Sequence, residues 1–268
     1  MNLKGKVKSL IDTSNYVLSN GNSSFITNIS FDENGSMLSK EIISKDYGKV
    51  TFKRAFFYKY DSLRRKIQEQ KFINGTLRDN IFFNYNKEGD ILTINNSEFN
   101  SIDSFIYNKE KNSVEIWNKT KNLEPYIDYI KYYSANGNLI KEERYGINND
   151  TLFTQIFRYN AEGLLIEKYY VNPNGDYGTR VLYDRDTLGR EIRIRHFEEF
   201  DKELMKEFTY KYNKYDNMIA STEKSAYYDI DAKHRVEYKY DEFGNYIEGR
   251  KYESGKMWIL AKRKIFYY

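Results

Sequence analysis

The stretch Tyr238-Lys-Tyr240-Asp241-Glu-Phe-Gly244-Asn-Tyr-Ile247 decides the fold, because versions of it recur along the whole chain. If the residue before the Asp or Asn is taken as an anchor, successive anchors lie 22 to 29 residues apart. Such a period is typical of repeat architectures. A further step of 28 residues reaches Tyr268, so we expect a tenth first strand there. The nine anchors are Phe31, Tyr60, Tyr85, Tyr107, Tyr133, Tyr159, Arg185, Tyr212 and Tyr240.

Three columns of the repeat predict a β-hairpin. The residue after each anchor is Asp, Asn or Ser, which caps a tight turn through its side chain. The residue four past the anchor is Gly in six copies, as a left-handed turn position requires, and Arg64, Lys111 and Asp216 stand there in the others. The residue seven past each anchor is aliphatic, and we expect this column to be buried: Leu38, Ile67, Leu92, Val114, Ile140, Ile166, Ile192, Ile219 and Ile247.

Residues alternate around these turns as they do in strands with one buried and one wetter face. Phe208, Tyr210 and Tyr212 share one face, for example. Each unit then holds two strands, a regular turn and a variable reversal. The fold class is therefore all-β: a continuous antiparallel meander of about nine two-stranded repeats, or 18–20 strands, in a curved or spiralling sheet. We expect blunted edge strands at both ends, with the charged start Lys4–Lys8 protecting the first.

The three copies without the turn glycine carry separate expectations. A left-handed conformation is costly for Arg64 and Lys111, so we expect those two turns to change type, with Asn112 taking the left-handed position in the second. Asp216 tolerates this conformation better.

Composition excludes several kinds of chemistry. The 268 residues include no Cys, which excludes disulfides and thiolate sites, and His196 and His234 are the only histidines. With 43 Lys+Arg against 39 Asp+Glu, the surplus of positive charge is too small to argue for nucleic acid. No apolar run approaches the roughly 18 residues of a spanning helix, which predicts no membrane span. The polar start predicts a cytoplasmic protein if Met1 is the native start, and a periplasmic or cell-surface protein otherwise.

The string Tyr-x-Tyr-Asp-x-x-Gly-Asn/Arg-x-Ile resembles the YD repeat of the Rhs and teneurin-like proteins, with residues 58–67 and 238–247 as its nearest copies. The resemblance implies one β-repeat domain over 1–268, with 1–24 as a degenerate N-terminal cap and 25–268 as YD-like repeats. Members of this family build a spiralling antiparallel sheet that in long forms encloses a toxin or other cargo. The Asp-Pro-x-Gly-Leu segment of the long shells is absent, so the chain resembles a short stand-alone relative, of the kind that many bacteria encode.

Catalytic motifs are not evident. The acid pairs Glu142-Glu143 and Glu198-Glu199 place adjacent side chains on opposite strand faces, which does not make a glycosidase pair. We predict no catalytic, cofactor-binding or metal-binding residues and no cofactor. A hydrolase with an unrecognised carboxylate site remains an alternative.

The primary hypothesis is a non-enzymatic scaffold that presents a curved β-surface to a protein partner, in its specific version a toxin-associated or immunity-type protein. Arg193, Arg195 and His196 form a basic strand segment that suits an anionic ligand. Aromatic residues in or near the variable reversals suit a partner or a sugar ring, which makes a carbohydrate-binding protein of the cell envelope the alternative. These aromatic residues are Trp117, Tyr126, Tyr177, Tyr227, Tyr228 and Trp258.

Overall fold

The computed structural model describes residues 3–16, 23–198, 203–226 and 230–268, and within them the chain forms β-strands and no helix. The described residues therefore contain no helix with the length and apolar character needed to cross a bilayer. The strands are β1 (Val7–Tyr16), β2 (Ser23–Phe31), β3 (Met37–Asp46), β4 (Lys49–Tyr60), β5 (Lys66–Ile73), β6 (Thr76–Tyr85), β7 (Ile91–Asn96), β8 (Ser101–Asn108), β9 (Ser113–Thr120), β10 (Tyr126–Tyr133), β11 (Leu139–Tyr145), β12 (Thr151–Tyr159), β13 (Leu165–Val171), β14 (Tyr177–Arg185), β15 (Glu191–Glu198), β16 (Glu203–Tyr212), β17 (Met218–Ser225), β18 (Ile230–Tyr240), β19 (Tyr246–Glu253) and β20 (Lys256–Tyr267).

The twenty strands close into a barrel. Each strand pairs antiparallel with its neighbours in sequence, and β1 also pairs with β20, with Asp12 opposite Arg263. The antiparallel meander is confirmed, whereas the open curved or spiralling sheet is corrected to a closed one. Because β1 pairs on both sides, the expected edge strands do not exist among the described residues. Closure satisfies the backbone groups that an open edge would leave unpaired.

The regular turn has the geometry that its sequence predicts. The Asp241 carboxylate accepts the backbone amides of Phe243 at 3.0 Å and Asn245 at 2.8 Å. The Gly244 amide donates to the Asp241 carbonyl at 3.1 Å, and Gly244 has a φ of 81°. We call the end of the barrel formed by these turns, from residues 32–36 to 241–245, the regular rim. The described loops that precede even-numbered strands form the opposite end, which we call the variable rim.

Two of the three exceptional turns follow the prediction. Asn112 takes a φ of 45° and Asp216 a φ of 62°, which confirms both as left-handed positions. The predicted change at Arg64 is wrong, because Arg64 keeps the regular turn at a φ of 64° and its amide bonds the Asp61 carbonyl at 2.9 Å. A second bond, from Arg64 Nη2 to the Asn34 carbonyl at 2.6 Å, helps to hold this conformation.

A register shift follows most regular turns and explains the aliphatic column. Tyr240 pairs with Tyr246 while Lys239 pairs with Glu248, so Ile247 is the extra residue of a β-bulge. The predicted burial of the column is wrong, because no second layer of structure covers the sheet there: none of the nine side chains is buried, and six are exposed. The six side chains are 37–42% exposed: Leu38, Leu92, Ile140, Ile166, Ile192 and Ile247.

At several repeats an anchor residue ties a hairpin to the one before it. The Tyr159 hydroxyl donates to the Leu139 carbonyl at 2.8 Å, and Leu139 lies six residues after the preceding anchor. Arg185 stands where a tyrosine is usual, and its Nε donates to the equivalent Leu165 carbonyl at 3.0 Å. The same bond joins Tyr60 to Met37, Tyr85 to Lys66 and Tyr107 to Ile91.

The barrel closes through a hairpin whose two halves come from opposite ends of the sequence. Tyr267 pairs with Val7, and the Tyr268 amide donates to the Lys6 carbonyl at 3.0 Å. Gly5, with a φ of 80°, occupies the place of the turn glycine. In a regular turn the matching bond runs from Asp241 to Asn245 at 2.9 Å. Residues 4–10 therefore complete the unit that β20 begins.

Alternation gives the barrel two unlike faces. The tyrosine face carries anchors such as Tyr240 together with most of the buried apolar residues: Val7, Leu10, Ile29, Val181, Val236 and Ile259. It also carries a buried ion pair between Arg263 and Asp12, beside the Tyr246 hydroxyl. The opposite face, which holds residues such as Lys239 and Glu248, is called the polar face below.

Candidate functional site

The polar face is divided into two sectors of different chemistry. On β5–β8, which we call the neutral sector, the paired residues on this face carry no charge. Amides and large apolar side chains take their place. The members are Gln68, Gln70, Phe72, Leu77, Asn80, Phe82, Asn84, Thr93, Asn95, Ile102, Ser104, Ile106 and Asn108.

On β12–β20 the same face is charged, and we call this the basic sector. It holds twelve basic and six acidic residues, a surplus of six positive charges. The basic members are Arg158, Arg180, Arg193, Arg195, Lys211, Lys224, Lys233, Arg235, Lys239, Arg250, Lys262 and Lys264. The acidic members are Glu167, Asp184, Glu207, Asp231, Glu237 and Glu248.

Arginines of the basic sector share carboxylates across strands. Asp184 accepts from Arg193 at 2.5 Å and from Arg195 at 3.0 Å. Burial alone would raise the pKa of Asp184, but the hydrogen bonds and charges of the two arginines outweigh it and hold the pKa below its usual value. Glu167 pairs with Arg158 at 3.0 Å and with Arg180 at 2.6 Å. The carboxylates of Asp184 and Glu167 therefore form ion pairs within the protein.

Several lysines of the basic sector have no such partner. Lys211, Lys233, Lys262 and Lys264 are exposed and form no ion pair within the part of the chain that the structure describes. Their ammonium groups are strongly hydrated point charges that remain available to an external anion. Much of the surplus charge of the sector therefore lies on free lysines.

The structure separates the three predicted basic residues. Arg193 and Arg195 lie on the polar face around Asp184, whereas His196 lies on the tyrosine face opposite Val181. Burial first, and then the nearby charges of Lys168 and Lys206, lower the pKa of His196. Strand alternation puts adjacent residues on opposite faces, so the single basic segment proposed for these residues is corrected.

The predicted aromatic residues lie toward the variable rim but are spread around the barrel. Trp117 on β9 donates its indole N–H to Glu115 at 3.1 Å. Tyr126 begins β10 on the tyrosine face, and burial raises its pKa. The Tyr177 ring, on β14, lies 5.8 Å from that of Tyr169. These side chains do not converge on one pocket.

The remaining predicted aromatic residues divide between two cases. The Trp258 ring on β20 lies 6.0 Å from Tyr16 and 6.4 Å from His234. Tyr227 and Tyr228 lie outside the described residues.

One polar cluster was not predicted. The Glu143 carboxylate accepts the hydroxyls of Tyr132 at 2.8 Å and Tyr145 at 3.0 Å, and it pairs with Lys141 at 2.6 Å. Burial would raise the pKa of Glu143, but Lys141 and the two hydroxyls lower it overall. Burial and then Glu143 raise the pKa of Tyr145 to about 12. The spacing of residues 141, 143 and 145 along one strand was the available sequence signal.

Carboxylates on the described chain are held ionised where their pKa values move downward, as at Glu41, Asp184 and Glu143. Asp128 differs, because burial raises its pKa although Arg144 opposes this. A general acid needs a raised pKa and a second group facing it across a pocket.

In the part of the chain that the structure describes, no three His, Asp or Glu side chains gather as a metal site would require.

No protein-family model matches the sequence, and no curated protein matches it. Solved structures with a similar arrangement include the crystal structure of TcdB2-TccC3-TEV, at 13% identity and a TM-score of 0.40, covering 93% of this chain and 19% of that one. A porin-like protein from Bacteroides uniformis is similar at 8% identity and a TM-score of 0.43, covering 98% of this chain and 99% of that one. A porin-like protein from Bacteroides vulgatus has 7% identity and a TM-score of 0.26, covering 98% of each chain.

The prediction of no membrane span is corrected by the closed barrel. It considered apolar helical runs alone, but a closed sheet also pairs all its backbone groups and is the second architecture that can cross a bilayer. Helix length therefore does not decide whether this chain can cross a bilayer.

Proposed function

We propose that this protein is a non-enzymatic binding protein whose basic sector docks an acidic surface of a protein partner. The observation that carries this proposal is the surplus of six positive charges on β12–β20, much of it on unpaired lysines. Complementary charge speeds the encounter of two proteins and selects among partners.

A protein suits this surface better than a nucleic acid. Six carboxylates are distributed among the twelve basic residues, and carboxylates such as Glu237 and Glu248 would repel a regular row of phosphates. A protein surface with mixed charges can place its own basic residues opposite them. Arg250 already bridges the sector in this way, pairing with Glu248 at 3.0 Å.

The resemblance to YD-repeat proteins directs the search for the partner. We expect it among the products of neighbouring genes, with a secreted toxin as the first candidate. Co-purification of the intact protein with each neighbouring gene product tests the proposal, and association should weaken as salt is raised, because exposed charges are screened.

Charge reversal identifies the surface involved. The triple variant Lys233→Glu, Lys262→Glu and Lys264→Glu should bind the partner at least tenfold more weakly. The matched control reverses three exposed lysines near the regular rim, Lys87→Glu, Lys109→Glu and Lys111→Glu, and should bind as the unaltered protein does. Equal loss in both variants, retention of DNA or RNA instead of a protein, or no partner among the gene products would contradict the proposal.

A further inference from the structure

The neutral sector contains a groove at its variable-rim end. It is open to solvent and has a volume of about 510 Å³, within the roughly 300–1,000 Å³ usual for small-molecule sites. Its floor is a row of directly paired residues that crosses four strands: Phe82, Asn95, Ile102 and Lys119. Asn80 on β6 and Asn100 in the β7–β8 loop also line it.

The floor combines planar and aliphatic surface with amides. Phe82 is 43% exposed and Ile102 is 41% exposed, so both present apolar surface to a ligand. The Asn95 amide between them forms no hydrogen bond with another residue in the described chain. An amide offers two donors and an acceptor, which matches a hydroxyl that both donates and accepts.

Neighbouring amides are fixed by bonds that leave part of each free. Gln68 Nε2 donates to Asn80 Oδ1 at 2.7 Å, which leaves the Gln68 carbonyl oxygen and the Asn80 N–H groups available. The Asn80 backbone amide bonds the Ser97 hydroxyl at 2.8 Å. Asn80 is therefore oriented rather than mobile, which lowers the entropy lost on binding.

The loop beside the groove is also anchored. Asp79, which is 4% exposed, accepts the Glu98 amide at 3.1 Å and the Ser97 hydroxyl at 3.3 Å. Lys71 pairs with the Glu98 carboxylate at 2.9 Å. Residues 97–100 consequently form a fixed wall along one side of the groove.

We propose that this groove binds a neutral oligosaccharide. An exposed ring next to an apolar side chain suits the C–H face of a sugar, and the amides suit its hydroxyls. Three of the four floor residues, Phe82, Asn95 and Ile102, are uncharged, which favours a neutral ligand. The lysines that line the groove, Lys119 and Lys121, lie only along its β9 side. The inference does not rest on the basic sector, so either proposal can fail alone.

Calorimetric titration with maltohexaose, cellohexaose and chitohexaose, and with a sulfated oligosaccharide as the anionic comparison, tests the proposal on the full chain. At least one of the three neutral sugars should bind, with little change between low and high salt. Binding of a sulfated oligosaccharide alone, or of none of the probes, would overturn the proposal.

Two variants locate the site. Asn95→Leu keeps the volume and removes the amide, and it should weaken binding at least tenfold. Asn84→Leu is the matched control, because Asn84 lies on the same face, bonds Thr93 at 2.8 Å and does not line the groove. It should bind as the unaltered protein does, and a second groove variant, Phe82→Ala, should also lose binding. Unchanged affinity in Asn95→Leu and Phe82→Ala, with thermal unfolding showing that both are folded, would assign the sugar to another surface.

Discussion

The hydroxyl of Tyr159 and the backbone carbonyl of Leu139 form a hydrogen bond of 2.8 Å that ties one hairpin to the preceding one. Leu139 lies at a β-bulge, opposite Tyr133. A side chain therefore bonds the backbone where the ladder is irregular. Since the same bond recurs at other anchors, the register of successive hairpins is fixed by hydroxyl groups as well as by the ladder.

Removal of this hydroxyl should weaken the barrel. We expect Tyr159→Phe to lower the free energy of unfolding by about 0.5–1.5 kcal/mol, because the Leu139 carbonyl loses its donor. Tyr183→Phe is the control, since Tyr183 lies on the same face and its hydroxyl forms no hydrogen bond in the described chain. Urea unfolding of both variants makes the measurement, and equal effects would show that the bond contributes nothing specific.

The turn glycines should resist substitution for a purely conformational reason. Gly137 has a φ of 79° and nothing within 4 Å of an added Cβ. We expect Gly137→Ala to destabilise the protein by about 1 kcal/mol. Gly146→Ala is the comparison, because Gly146 is not left-handed and its Cβ would meet Leu152 at an ordinary 3.5 Å. Thermal unfolding should show a lower midpoint for Gly137→Ala, and the reverse order would contradict the assignment.

The stabilising effect of Asp184 should depend on pH. Its pKa is lowered in the folded protein, so its pairs with Arg193 and Arg195 stabilise the fold above the unfolded pKa of 3.8 and lose this effect as the pH falls through the folded value. At pH 7 we expect Asp184→Asn to cost about 1 kcal/mol or less, because the pair is partly exposed. The difference between the two proteins in urea should shrink as the pH falls below 3.8. A difference that grows on acidification would refute the prediction.

The buried ion pair between β1 and β20, where the barrel closes, should be the most sensitive of these sites to substitution. The Arg263 side chain is 3% exposed, and its loss leaves the Asp12 carboxylate without its cation. We expect Arg263→Met to cost about 3 kcal/mol, and the double variant with Asp12→Leu to recover most of it, because an apolar pair needs no compensating charge. Lys264→Met, on the exposed side of the same strand, should cost little. Urea unfolding compares the three, and a double variant as weak as Arg263→Met would contradict this account.

The local structure could be predicted from the sequence, but closure could not. The Asp241 turn and the alternation around Tyr240 are determined by residues a few positions apart, and both are confirmed. Closure depends on curvature summed over all the strands, and no local pattern reports it. The bulge at Ile247 was also missed, because an aliphatic residue next to a turn fits a regular buried strand equally well.

The candidate sites show the same division. The neutral sector could be predicted in part, since Gln68, Gln70 and Phe72 alternate along one strand. Its extent could not, because that depends on the register of β5–β8. Arg64 shows the opposite limit: its backbone strain was predicted, whereas its bond to the Asn34 carbonyl depends on a neighbouring turn.

The split hairpin has a practical consequence for joining other domains to this protein. The Asn245 side chain holds the Lys4 backbone at 2.7 and 2.8 Å, and the Tyr268 hydroxyl reaches the Phe31 carbonyl at 2.7 Å. Fluorescent proteins attached before Leu3 and after Tyr268 would thus lie side by side, close enough for energy transfer. The transfer signal would report directly on whether β1 and β20 are paired.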